Sequence, residues 1–66
     1  MKVLKFAVAG LGRIGKIHLE NLLEMDNIEV VAVMDPLMEA QAYARKKNIS
    51  NIVATYKELL AVPFDA

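Results

Sequence analysis

The sequence has no cysteine, a single histidine and no excess of either charge, with 8 Lys and Arg against 8 Asp and Glu. Without cysteine there is no disulfide framework and no thiolate metal site, and one histidine cannot build a zinc site by itself. The balanced charge removes the strongly basic face of a nucleic-acid binder. No apolar run approaches the roughly 18 residues that a membrane span needs. Neither nucleic acid nor a membrane is therefore expected as a partner. The start, MKVLKFAVAGLG, superficially resembles a signal peptide, with Lys2 and Lys5 ahead of an apolar run. Arg13 interrupts that run, and the motif around it accounts for the segment better. A cytoplasmic location is the default expectation. Length is the other shortage. The 66 residues allow one small domain, which buries only roughly 60% of its unfolded surface and is marginally stable.

What is present is apolar: 56% of the residues are hydrophobic, as in buried parallel strands. Val3 to Ala9 is a nearly continuous apolar run that reads as a strand buried on both faces. A helical pattern starts at Arg13, with Ile14, Ile17, His18, Asn21, Leu22 and Met25 on one face and Lys16, Glu20 and Glu24 elsewhere. Asp26 and Asn27 end it. Ile28 to Met34 is a β-branched second strand. Asp35 and Pro36 suit the cap and first position of a helix, which is expected to run to about Lys47 with Leu37, Ala40 and Ala44 inside. Arg45, Lys46 and Lys47 suit the negative helix end, and Asn48 suits the left-handed position after it. Asn51 to Ala54 reads as a third strand. Thr55 and Glu58 have capping-box spacing for a short helix from Tyr56 to about Ala61. Val62-Pro63 stops it, and Phe64-Asp65-Ala66 reads as the lead-in to another strand. The order β-α-β-α-β-α predicts an α/β fold, the N-terminal portion of a doubly wound parallel sheet of Rossmann type with right-handed crossovers.

The three glycines of the chain, Gly10, Gly12 and Gly15, form G-x-G-x-x-G between a strand and a helix. That context is what a dinucleotide-binding turn requires. Gly10 permits the tight turn, Gly12 lets the backbone approach a pyrophosphate, and Gly15 lets the helix pack close to the strand. Free N–H groups at the helix start make an anion site. Asp35 ends the second strand, 20 positions after Gly15, where a carboxylate accepts bonds from ribose hydroxyls and repels a 2′-phosphate. No arginine follows it at once, the next residues being Pro36, Leu37 and Met38, so NAD is favoured over NADP. Asp35 as a helix cap is the structural alternative, and a cap leaves one oxygen free. Arg13 stands beside the expected pyrophosphate, either as a phosphate contact or as an exposed cation. His18 reads as a packed or half-buried polar residue rather than a base. Lys2, Lys5, Lys46 and Lys47 read as solvated. Met25, Met34 and Met38 read as packing, with Met34 and Leu37 flanking an adenine as the alternative. Tyr43 and Tyr56 have no catalytic arrangement.

The stretches FAVAGLGRIGKIHLENL, VVAVMDP and YKELLAVPFDA resemble the Gfo/Idh/MocA oxidoreductases, most of all their inositol 2-dehydrogenase branch. The resemblance covers essentially the whole chain, and it is specific from Gly10 to His18 and at Asp35-Pro36. It implies an NAD(P)-dependent dehydrogenase that moves a hydride between the nicotinamide and a sugar, inositol or related polyol, in a homo-oligomer. It carries Gly10, Gly12, Gly15 and Asp35 onto this chain as cofactor-binding, with Arg13 and Ile14 as backbone contacts. The family's E-K-P motif, whose lysine is expected to handle the proton, does not occur; Lys57-Glu58 is reversed and lacks the proline. No catalytic residue, no metal site and no substrate domain is therefore expected within residues 1–66. The rival readings are a non-catalytic dinucleotide-binding module, an excised or designed fragment without activity, and a different Rossmann dehydrogenase.

Overall fold

The structure, a computed structural model, describes residues 3–66; Lys2 lies outside them. Strand β1 (Leu4–Ala9), helix α1 (Arg13–Leu23), strand β2 (Ile28–Met34), helix α2 (Met38–Lys46), strand β3 (Asn51–Val53) and helix α3 (Tyr56–Leu60) follow in that order. The strands form one parallel sheet in the order β1-β2-β3. This is the N-terminal portion of a Rossmann-type fold. None of the described helices is long and apolar enough to cross a membrane.

The core lies on both faces of β2, the one strand flanked on each side. Leu11, Leu19, Val30, Val33, Ala40, Ala44 and Ile49 pack together on the face covered by α1 and α2. Val31, Ala32, Met34 and Leu59 pack on the face covered by α3. Val31 and Ala32 are consecutive, yet they join the same cluster. The register accounts for this: Phe6 pairs with Val30 and Ala7 with Ala32, so β2 carries one residue more than β1. The extra residue is a β-bulge, and it shifts the alternation of every side chain after it.

Helix α1 is rotated from the expected orientation. Leu19 is fully buried and Leu22 half-buried, whereas Ile14, Ile17 and Met25 are 64%, 50% and 48% exposed and His18 is exposed. Gly15 sets this phase. A Cβ on Gly15 would collide with the carbonyl oxygen of Gly10, so the glycine side of the helix must face the strand turn. Positions 19 and 22 follow it inward at the i+4 and i+7 spacing. The apolar residues at 14, 17 and 25 are left outside.

Helix α2 begins at Met38, with Leu37 as its cap residue and no side-chain cap, not at Asp35-Pro36. The Asp35 carboxylate folds onto the Leu37 N–H instead (2.9 Å), a local turn typical of Asp. Leu37 is consequently 66% exposed rather than inward, while Ala40 and Ala44 are buried as expected. Asn48 has φ 61°, the left-handed position foreseen for it. The Thr55 hydroxyl oxygen accepts the Glu58 N–H at 3.2 Å, so α3 is capped as its spacing predicts.

Two surface features differ from expectation. Lys47 is half-buried: it pairs with Glu20 at 3.6 Å, and Tyr43 donates to the same carboxylate at 2.7 Å. These contacts hold the Glu20 carboxyl below its ordinary range, the Tyr43 hydrogen bond contributing most and the Lys47 charge next. They join α1 to α2. Strand β1 is half-buried rather than enclosed on both faces, because the helices pack mainly on β2, and only one of its edges carries a full strand. The other edge is partly filled by the end of the chain. Asp65 and Ala66 donate to the Lys5 carbonyl, Ala7 donates to the Ala66 carbonyl, and Lys5 N–H donates to the Asp65 carboxylate at 2.8 Å.

The phase of α1 is testable. Gly15→Ala forces backbone movement between helix and strand, so it should cost about 1–3 kcal/mol. Denaturant unfolding checks this, and an unchanged midpoint would show that Gly15 does not set the helix orientation.

Candidate functional site

The site is built where β1 and β2 end. Gly10 has φ +89°, a left-handed conformation that glycine adopts without a Cβ penalty, and its N–H donates to the Met34 carbonyl at 2.7 Å. The chain thus leaves β1 while still tied to the last residue of β2. Gly12 is the cap residue of α1. It offers no side-chain cap, and the first turn contains no acidic residue. The amides of Arg13, Ile14 and Gly15 therefore have no intrahelical acceptor, and no carboxylate of the helix's own first turn competes for its positive end. A Cβ placed on Gly12 would meet nothing within 4 Å. That open approach beside free amides is the space a pyrophosphate needs, so the residues fit a dinucleotide. Arg13 is exposed at the helix start, and the Ile14 side chain points to solvent.

Asp35 completes the arrangement from the other strand. It is only 7% exposed, and each carboxylate oxygen accepts a backbone N–H: Oδ2 from Leu11 at 2.7 Å and Oδ1 from Leu37 at 2.9 Å. A carboxylate oxygen has a second lone pair, so both retain capacity for a ligand hydroxyl. These bonds hold the Asp35 carboxyl below the ordinary carboxylate range, Leu11 contributing most and Leu37 next; burial opposes them and the Lys16 charge assists. Asp35 is thus ionised and aimed at the glycine turn, and it caps no helix. Its own backbone is fixed as well. Its N–H donates to the Val53 carbonyl at 3.0 Å, and the Gln41 side chain donates to its carbonyl at 2.8 Å.

The structure thus brings Gly10, Gly12, Gly15 and Asp35 together at one end of the sheet, with Arg13 and Ile14 on the helix turn beside them. Met34 is buried on the α3 face, and Leu37 is exposed next to Asp35. His18 and Tyr56 are exposed, and Tyr43 braces the helices. Two participants escaped the sequence. Leu11 acts through its backbone N–H, which any residue type supplies. Gln41 lies 6 positions after the carbonyl it binds, a spacing that marks no local motif.

Comparisons with known proteins bear on family and fold. The model of the Gfo/Idh/MocA oxidoreductase family, NAD-binding Rossmann fold, matches residues 4–66. A glyceraldehyde-3-phosphate dehydrogenase of Agaricus bisporus is 35% identical over 60 residues, which are 91% of this chain and 18% of that enzyme. The counterpart from Schizophyllum commune is 53% identical over 34 residues, which are 52% of this chain and 10% of that enzyme. Among solved structures, scyllo-inositol dehydrogenase from Lactobacillus casei with bound NAD(H) and scyllo-inositol superposes with a TM-score of 0.91 at 24% identity, over 98% of this chain and 20% of that one. Its apo form gives 0.90. At that identity the likeness is one of fold. The match spans a fifth or less of the length of each of these relatives.

Two measurements follow from the site. Gly12→Asp supplies a good cap and a favourable charge at the helix start, worth about 0.3–1 kcal/mol, so melting temperature should hold or rise. The same carboxylate repels a pyrophosphate, and calorimetry should show NAD affinity falling roughly tenfold or more; retained affinity would remove Gly12 from the site. The second concerns pH. Asp35 has a lowered folded pKa, so its contribution to stability is fully present above the unfolded aspartate value of about 3.9 and is lost as pH falls through the lower folded value. Acid unfolding followed by circular dichroism should lose that component in Asp35→Asn, and superimposable wild-type and variant profiles would contradict the assignment.

Proposed function

We propose a role in hydride transfer from a firm premise: the chain belongs to the Gfo/Idh/MocA oxidoreductase family, with its NAD-binding Rossmann fold. In this reading the chain is the adenosine- and pyrophosphate-binding part of an NAD-dependent dehydrogenase that acts on a sugar, inositol or related polyol. The observation that carries it is the bond from Leu11 N–H to the Asp35 carboxylate. It ties the glycine turn to the Asp35 carboxylate, which supports reading the turn as the pyrophosphate seat and the carboxylate as the ribose acceptor.

Gly10, Gly12 and Gly15 shape the turn in this proposal, and the backbone amides of Arg13 and Ile14 receive the pyrophosphate. Asp35 accepts the adenosine ribose hydroxyls and disfavours a 2′-phosphate, which selects NAD over NADP. The bound nicotinamide supplies the hydride acceptor. The groups that bind the polyol and move its proton are proposed to lie in sequence other than these 66 residues, as is the homo-oligomer contact. The likeness to scyllo-inositol dehydrogenase supports a cyclitol as substrate. The matches to glyceraldehyde-3-phosphate dehydrogenases favour a second reading, oxidation of a phosphorylated aldehyde on the same cofactor half.

The test takes Asp35→Ala and the wild type and measures affinity for NAD and NADP. The NAD:NADP preference should fall by at least about tenfold, because a hydrogen bond to a charged group is worth roughly 1.5–3 kcal/mol. An unchanged preference would remove Asp35 from the ribose. NADH formation is then assayed in the polypeptide that carries this domain. Turnover with inositols supports the first reading, turnover with glyceraldehyde 3-phosphate supports the second, and NAD binding without turnover of either supports a non-catalytic module.

A further inference from the structure

We propose that Asp35 has a second role, as a positioning residue: its carboxylate sets the glycine turn in its pyrophosphate-receiving shape before any ligand arrives. The proposal rests on the dinucleotide reading for what the turn receives, but the setting of the turn is a property of the ligand-free protein.

The argument starts from one peptide plane. The Gly10 carbonyl and the Leu11 N–H belong to the same trans peptide unit and point in opposite directions. The carbonyl end lies against Gly15 of α1. The N–H end is held by Asp35 Oδ2 at 2.7 Å. This plane lies between helix and strand, and its orientation fixes where the following residues, Leu11 and Gly12, run. Gly10 on one side of the plane is conformationally permissive, so local chain stiffness does not hold it. Leu11 is 2% exposed, so water is not at hand to satisfy its N–H, and a buried N–H without an acceptor is costly. Asp35 supplies that acceptor across a gap of 24 residues.

The acceptor is itself held from three sides. Val53 of β3 takes the Asp35 N–H, Gln41 of α2 donates to its carbonyl, and the Leu37 N–H occupies its other carboxylate oxygen. The carboxylate therefore cannot swing freely between the turn and a ligand. Ribose hydroxyls meet a carboxylate already committed to the turn and use its remaining lone pairs. Adenosine recognition and pyrophosphate recognition share one carboxylate, and its loss disturbs both.

The experiment separates the two roles with a ligand that has no ribose hydroxyls. Amide hydrogen exchange is followed by NMR in ligand-free wild type, Asp35→Ala and Asp35→Asn, and Kd is measured for ADP and for 2′,3′-dideoxy-ADP. The Leu11 amide should be protected in the wild type and should exchange at least about tenfold faster in Asp35→Ala, as loss of a charge-assisted bond implies. Dideoxy-ADP should bind Asp35→Ala more weakly than wild type, although it makes no hydroxyl contact. A carboxylate that served ribose alone would leave dideoxy-ADP affinity equal, or improve it by removing a negative charge near the diphosphate. Either that outcome or unchanged Leu11 exchange overturns the proposal. Asp35→Asn is isosteric and keeps both measurements available if the alanine variant does not fold. It offers one acceptor oxygen in place of two, so Leu11 or Leu37 should lose protection. Failure of the wild type to bind ADP would overturn the dinucleotide reading instead, and the exchange data would still decide whether Asp35 holds the turn.

Discussion

The carbonyl of Gly10 lies against the α-carbon of Gly15, with no room for a methyl group between them. Helix α1 rests on the end of β1 at this contact, and much else follows from it. The rotation of α1 is fixed, which sends Leu19 into the core and leaves Ile14 and Ile17 outside. The helix start is brought over the end of the sheet with its first amides unclaimed. Gly12, three residues before the contact, is left facing open space. A side chain at position 15 would separate helix from strand and dissolve the turn between them.

Much of this was legible in the residues, and the exceptions share a cause. β2 and the left-handed Asn48 were read correctly because each depends on side chains acting locally: β-branched residues in a run, or a short polar side chain after a cationic helix end. The order of the elements followed from their alternation, and the G-x-G-x-x-G turn from its glycines. The orientation of α1 differs from the one its apolar spacing predicts because the close approach at Gly15, itself legible in the motif, also fixes which side of the helix turns inward. A residue with no side chain set the phase, and the large side chains followed. The start of α2 departs from its sequence pattern because the Asp35 carboxylate, which suits a local cap, is shared between the Leu37 N–H and the Leu11 N–H of the neighbouring strand end. Leu11 and Gln41 could not be found at all. One acts through its backbone, and the other bonds a carbonyl that no pattern distinguishes from its neighbours. Contacts between distant backbone groups leave little trace in residue type.

The relatives divide along the same line. Glyceraldehyde-3-phosphate dehydrogenases match by sequence and scyllo-inositol dehydrogenase matches by fold, and their own names set their substrates apart. Each matches this chain over a fifth or less of its length. A shared segment with different named substrates is what is expected where one fold hosts many functions.

The bulge in β2 has a consequence for how this strand can change length. Side chains alternate strictly along a strand, so the parity of the count from Val30 decides which face each later residue takes. With Val31 as the supernumerary residue, Val33 faces α1 and α2, Met34 faces α3, and Asp35 falls back on the side of Leu11. Strict alternation from Val30 would have delivered Asp35 to the opposite face. A one-residue deletion that removed the bulge, with a compensating residue added after it, would keep length, composition and pairing while turning the carboxylate away from the glycine turn. The strand thus encodes the site in an odd-or-even bit as well as in the identity of the residue that follows it, and drift in its length can preserve the sheet and lose the bond between Asp35 and the glycine turn.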